Sequence, residues 1–294
     1  MLIGAVPKRL ESAVWSRLVV LASAGALGCT MAGVSGPDQQ HLEPESGELL
    51  VLFIGSSYFE SNDMPGIFEQ LSDNAGIPVY VTRNVLSGNY LDFFAENEWT
   101  ANAIEEQKWD YVVLQGGCQN AAYPEDHHLI TPNSGYHPVF PALQQLKRKI
   151  NANHSATKVV YMMPWAFEDG MTWVSGMTDT YMDMQEKIRD NVLAWSDSLD
   201  IIVAPVGWAW RDVLEDNQEQ HYLHSADWNH PNWRGSYLSA AVITATVFTE
   251  SVTELTYYGL LGEAEAHRLL DIASRTVLDS LDLWNLGNGS SSQF

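Results

Sequence analysis

Residues 49–54 form an unbroken apolar run, Leu49-Leu50-Val51-Leu52-Phe53-Ile54, which stops abruptly at Gly55-Ser56-Ser57. The run is too short for an independent helix and lacks the polar alternation of a half-exposed strand. It suits a strand buried on both faces, as in a parallel sheet covered by helices. Ligands of parallel α/β sheets bind beyond the carboxyl ends of the strands. A serine at this point is therefore a candidate nucleophile. A serine here also suits the start of a helix, because its side chain can cap free N–H groups. The rest of the chain has to separate the two roles.

Downstream, strand and helix patterns alternate. The spacing predicts a helix over 63–75, with Met64, Ile67, Phe68 and Leu71 on one face, and a second strand over 77–85 that ends at Leu86-Ser87-Gly88-Asn89. A short helical region (91–107) leads to a third strand (111–115), followed by Gly116-Gly117-Cys118-Gln119-Asn120. Residues 121–136 read as a long loop over the strand ends. A helix (138–152), a fourth strand (158–163), a long helix (178–198) and a short fifth strand (201–204) follow. A helical turn over 206–215, a polar aromatic loop over 226–234 and two helices over 235–250 and 263–281 complete the pattern. This alternation implies a three-layer α/β/α sandwich around a parallel sheet of about five strands. One domain over 48–294 is expected, with a frayed tail from 287.

The chain's formal charge of -22 argues against nucleic acid, whose phosphates require Lys and Arg. Two cysteines in 294 residues exclude a disulfide scaffold. Residues 1–28 resemble a signal peptide: Lys8, Arg9 and Arg17 are basic, and an apolar stretch rich in small residues runs from Val19 to Gly28. Ala26-Leu27-Gly28-Cys29 resembles a bacterial lipobox, which implies lipidation of Cys29 and leaves Cys118 a free thiol. Residues 29–47 read as a linker. The expected location is secreted or periplasmic, or at a membrane through a lipid on Cys29.

Near the C-terminus stands Asp227-Trp228-Asn229-His230-Pro231. A serine nucleophile needs a base that can take its proton at neutral pH, for which histidine is suited. The imidazole needs a partner that holds its tautomer, and an Asp three residues earlier can supply it within one loop. The oxyanion needs fixed donors. The Ser57 N–H, the Gly88 N–H and a side-chain amide after the third strand are the candidates.

At these residues the chain resembles the SGNH (GDSL-like) hydrolases. That family carries Gly-Asp-Ser after strand one, a glycine after strand two, Gly-x-Asn-Asp after strand three and Asp-x-x-His near the end. Gly55-Ser56-Ser57-Tyr58 is similar to the first block, with Ser56 in place of the Asp, and the resemblance gives the nucleophile role to Ser57. Gly88 matches the second block as an oxyanion donor. Asp227 and His230 match the last as acid and base. The third block has two alignments. Gln115-Gly116 is similar to the Gln-Gly-Glu block of some acetylesterase branches, and Gly117-Cys118-Gln119-Asn120 fits if Gln119 replaces the Asn. Gln115 is preferred and Gln119 is the alternative.

The resemblance implies a flavodoxin-like SGNH fold and a serine esterase without metal or organic cofactor. The implied substrate is a small-molecule or carbohydrate ester, most simply an acetyl ester. A lipase or thioesterase acting on longer acyl chains is the alternative within the fold. A non-catalytic carbohydrate-binding lipoprotein is the alternative outside catalysis, because 11 tryptophans could supply stacking surfaces. Tyr58, Trp165 and Trp228 are the candidate substrate contacts. His221, His224, Asp227 and His230 recur every three residues and raise a metal reading. Their setting lacks the helical spacing of a metalloprotease motif, so His127, His128, His137, His221 and His224 are expected to be solvated loop histidines. A carboxylate pair drawn from Asp126, Glu168 and Asp169 is a further acid–base reading.

Overall fold

In a computed structural model of the protein, the described residues are 43–123, 137–173, 178–217 and 219–287. Five strands form one sheet: β1 (Leu49–Gly55), β2 (Val79–Val85), β3 (Tyr111–Gln115), β4 (Lys158–Met162) and β5 (Ile202–Ala204). The order is β2-β1-β3-β4-β5 and every pairing is parallel. The burial of the strands follows this order. Val51 to Ile54 of β1 and Val112 to Leu114 of β3 are wholly buried in the middle of the sheet. The edge strand β2 carries Thr82 and Arg83 and is mostly half-buried. The unbroken apolar run of β1 is thus the signature of a central strand covered on both faces.

The helices are α1 (Ser57–Glu60), α2 (Met64–Asn74), α3 (Leu91–Glu96), α4 (Glu98–Glu106), α5 (Cys118–Ala122) and α6 (Val139–Asn153). They continue as α7 (Tyr181–Leu199), α8 (Val206–Asp216), α9 (Trp233–Phe248) and α10 (Glu263–Leu278). The chain steps from β1 outward to β2 in one direction, then from β2 across to β3, β4 and β5 in the other. Right-handed crossovers therefore put α2 on one face and the later crossover helices on the opposite face. The packing agrees: α2 lies against α9, which also packs on α10, while α3 and α4 pack on α6 and α5 packs on α7. Helix α9 is buried along nearly its whole length, consistent with its near-absence of charged residues.

Some local expectations need correction. The helical region at 91–107 is two helices, because Asn97 leaves helical geometry and its side chain accepts the Trp99 N–H. The turn expected at 206–215 is an eleven-residue helix. The segment after β3 is a short helix rather than a loop throughout. Residues 124–136, most of the expected loop over the strand ends, lie outside the described residues, as do residues 1–42 with Cys29. Among the described residues no helix is long and apolar enough to cross a membrane.

In this strand order the chain reverses direction between β1 and β3. Their carboxyl ends flank the crevice where doubly wound sheets bind ligands. Gly55-Ser56-Ser57 and Gln115 stand at those two ends.

Candidate active site

The β1 strand ends at a glycine for a steric reason. A Cβ on Gly55 would lie 2.7 Å from Gln115 Oε1 and 2.9 Å from the Phe59 ring. The close approach lets the Gln115 carbonyl oxygen accept the Ser56 N–H at 2.7 Å. The amide nitrogen of Gln115 donates to the Gly116 carbonyl at 2.8 Å. Both ends of this buried amide are thus committed to backbone, and the N–H of Ser56 fixes which end is oxygen. Gln115 therefore joins the ends of β1 and β3. Its bonded amide N–H faces the Gly116 carbonyl and the side chain is buried, which counts against the expected role as an oxyanion donor. Gln119 on α5 is half-buried, and its amide nitrogen lies 3.4 Å from the Tyr90 hydroxyl.

Ser57 opens α1. Its Oγ lies 2.8 Å from His230 Nε2. On the other side of the ring, His230 Nδ1 lies 2.6 Å from Asp227 Oδ2. Asp227 Oδ1 accepts the N–H of His230 at 2.9 Å and that of Asn229 at 3.1 Å. A carboxylate only accepts, so Nδ1 carries the ring proton and Nε2 presents a lone pair to the Ser57 hydroxyl. Partial burial pushes the Asp227 carboxyl upward, but the hydrogen bonds from the His230 ring and two backbone N–H groups outweigh it and hold the carboxyl below the usual range. It remains an anion at neutral pH. The loop carrying these residues is fastened to the start of α9. Asn232 accepts the Gly235 N–H at 3.1 Å as the helix cap, and its amide nitrogen faces the carbonyls of His221, Tyr222 and His224.

Gly88 has φ +77°, in the left-handed region that favours glycine. Its loop lies against the turn that carries Ser57: the Leu86 N–H donates to Gly55 O at 3.0 Å, and Ser87 donates to the Glu60 carboxylate of α1.

The three expected substrate contacts divide. Trp165 is wholly buried, stacked on Trp210 at 4.2 Å, and its indole N–H donates to Asn229 O at 2.8 Å. Tyr58 is 4% exposed and stacks on Trp165 at 4.4 Å. Both are interior supports, which corrects their assignment to substrate binding. Trp228, two residues before His230, is 49% exposed, has its ring 6.3 Å from that of His221 and has φ +61°. A bulky residue in that conformation is strained and here gains little burial, a pairing found at functional surfaces.

The other histidines are also less solvated than expected. His137 pairs with Asp92 at 2.7 Å and stacks on Tyr90 at 3.9 Å. His221 Nδ1 lies 2.6 Å from Glu168 Oε2, and its N–H donates to Glu168 Oε1. This pairing occupies both oxygens of Glu168, which counts against a free acid–base role beside Asp169; Asp126, His127 and His128 lie outside the described residues. His224 is fully buried, with Nε2 donating to Ala166 O at 2.9 Å and Nδ1 without a partner. Burial lowers its pKa more than the Ala166 carbonyl raises it, so the ring is neutral. Among the described residues no three His, Cys, Asp or Glu side chains are placed to hold a metal. Cys118 is a buried thiol, pushed by burial up to about 12.

No protein-family model and no curated protein matches the sequence. The fold does match solved structures. A DUF4886 family protein from Bacteroides uniformis aligns with a TM-score of 0.63 at 16% identity, over 79% of this chain and 95% of that one. A protein from Slackia heliotrinireducens classed as an SGNH hydrolase aligns with a TM-score of 0.50 at 21% identity, over 68% and 98%. An acetylxylan esterase from Geobacillus stearothermophilus aligns with a TM-score of 0.50 at 17% identity, over 69% and 96%. The fold of this chain is the α/β sandwich of SGNH hydrolases.

Proposed function

We propose that this chain is a serine ester hydrolase. The observation that carries the reading is the continuous hydrogen-bonded line Ser57–His230–Asp227 at the carboxyl edge of a parallel sheet. In this reading, His230 Nε2 takes the hydroxyl proton as Ser57 Oγ attacks the ester carbonyl. Asp227 stabilises the imidazolium without itself being protonated. The collapsing intermediate expels the alcohol, which takes the proton from His230. Water then enters by the same route, giving its proton to His230 as it attacks the acyl-enzyme. Release of the carboxylic acid restores Ser57. The oxyanion is held by the N–H groups of Ser57 and Gly88 and by the Gln119 amide. Ser57, His230 and water account for every bond and proton in this sequence.

The substrate we propose is a small acyl ester, an acetyl group on a carbohydrate being the simplest. The exposed Trp228, two residues before His230 in the same loop, supports a sugar ring near the site, since an aromatic face can stack on one. The acetylxylan esterase fold match is consistent with this choice. We also propose export directed by residues 1–28, with a lipid on Cys29; mass spectrometry of the mature N-terminus reads both. Hydrolysis of 4-nitrophenyl acetate tests the reaction class against a Ser57→Ala control. Turnover no greater than that control sinks the esterase reading. A preference for octanoyl over acetyl esters replaces the small-acyl assignment with a lipase or thioesterase.

A further inference from the structure

Tyr58 follows the nucleophile directly, yet its hydroxyl points into the protein. It donates to Asn229 Oδ1 at 2.5 Å and lies 3.1 Å from Cys118 Sγ. Asn229 in turn immediately precedes His230. It is held at three points: its side chain by Tyr58, its carbonyl by the Trp165 indole, and its N–H by Asp227. Tyr58 and Trp165 stack on each other, so two of the three anchors form one rigid aromatic unit backed by Trp210. The Tyr58 ring also meets the His230 ring edge-on at 5.8 Å.

The other neighbour of His230 is tied in the same way. Asn62, with φ +57°, directs its amide nitrogen to Pro231 O at 3.3 Å and to Ser236 Oγ at 2.9 Å. Residues on both sides of His230 are therefore bonded to the segment that carries Ser57. A phenylalanine at 58 would fill the same space, so packing alone gives no reason to bury a hydroxyl at that position. Burying it is unfavourable unless it is bonded, and its bond crosses from the nucleophile turn to the base loop.

We propose that Tyr58 and Asn229 are positioning residues that set the distance between Ser57 and His230 for proton transfer. This inference rests on the esterase reading above. It assigns no contact with substrate to either residue. Losing their bond lets the base loop drift relative to the nucleophile, which slows both proton transfers and leaves ground-state binding alone.

The test compares wild type, Tyr58→Phe, Asn229→Ala and the double variant on 4-nitrophenyl acetate, with thermal unfolding in parallel. Tyr237→Phe is the control, since it removes another buried tyrosine hydrogen bond, to Tyr257 O at 2.7 Å. Each single variant should lose about tenfold in kcat with KM unchanged, because small misplacements of reacting groups are costly. The double variant should be no worse than the weaker single variant, as expected for two ends of one bond. Tyr237→Phe should lose comparable stability and keep its kcat. A Tyr58→Phe enzyme within about twofold of wild type, or single losses that multiply in the double variant, overturns the proposal. Asn229→Ala is the less conservative change; if it fails to fold, Tyr58→Phe still decides. Wild type no more active than Ser57→Ala overturns the esterase reading and this inference together, an outcome distinct from failure of the positioning role alone.

Discussion

His230 Nε2 lies 2.8 Å from Ser57 Oγ, across 173 residues of sequence. The contact joins the first strand's end to the loop before α9, two places that meet only because the sheet order puts β1 beside β3 and α9 packs against α2. Ser56, one residue earlier, uses its N–H on Gln115, and its Oγ is 3.4 Å from the same amide oxygen. The two adjacent serines therefore have separate work: Ser56 shapes the turn and Ser57 faces His230.

The two glutamines are separable by mutation. Gln115→Leu strands the buried Ser56 N–H and should cost about 1–3 kcal/mol of stability, read by denaturant unfolding. Gln119→Ala should leave stability unchanged and reduce kcat by roughly 10²–10³, the usual loss for one oxyanion donor. A Gln115 variant that folds normally without turnover, with Gln119→Ala fully active, would reverse the two roles.

Asp227→Asn should lower kcat by roughly 10³–10⁴, because the amide no longer selects the Nδ1–H tautomer of His230. Its effect on stability depends on pH. The folded carboxyl titrates below its unfolded value. Its contribution is therefore complete above about pH 3.9 and is lost as pH falls through the lower folded value. The carboxylate is half-exposed, so solvent screening keeps the contribution small. Thermal melts of wild type and variant should differ slightly at neutral pH and converge in acid.

His224 gives a second pH dependence, at a higher range. Its folded pKa is lowered, so the unfolded chain binds a proton more readily than the folded one. The stability contributed by neutral His224 is complete above about pH 6.5 and declines as pH falls from there toward the lower folded value. His224→Gln keeps a donor for Ala166 O and removes the titration. Denaturant midpoints between pH 7 and pH 5 should fall more steeply in wild type than in this variant. Parallel slopes would show that His224 is not the group responsible.

The parts of this structure legible in the sequence are those set by local pattern. The run ending at Gly55 reads as a strand buried on both faces, because such burial removes polar alternation. Asp227 and His230 were legible as a pair because three residues of one turn bring them together. The long-range relations were not. Nothing near Gln115 in sequence shows that its oxygen meets the N–H of Ser56, 59 residues away. The same holds for Glu168 and His221, separated by 53 residues. In sequence, Tyr58 and Trp165 read as substrate contacts, because aromatic side chains serve cores and sugar surfaces equally well. Only their stacking and the bonds they make to Asn229 identify them as interior.

In the proposed mechanism Ser57 is the nucleophile and His230 its base. Treatment of the intact protein with a fluorophosphonate, followed by peptide mass spectrometry, tests it most directly. The probe should add once, at Ser57; the adduct should disappear in Ser57→Ala and form far more slowly in His230→Ala. An adduct on Ser56, or undiminished labelling and ester hydrolysis in Ser57→Ala, would contradict the assignment.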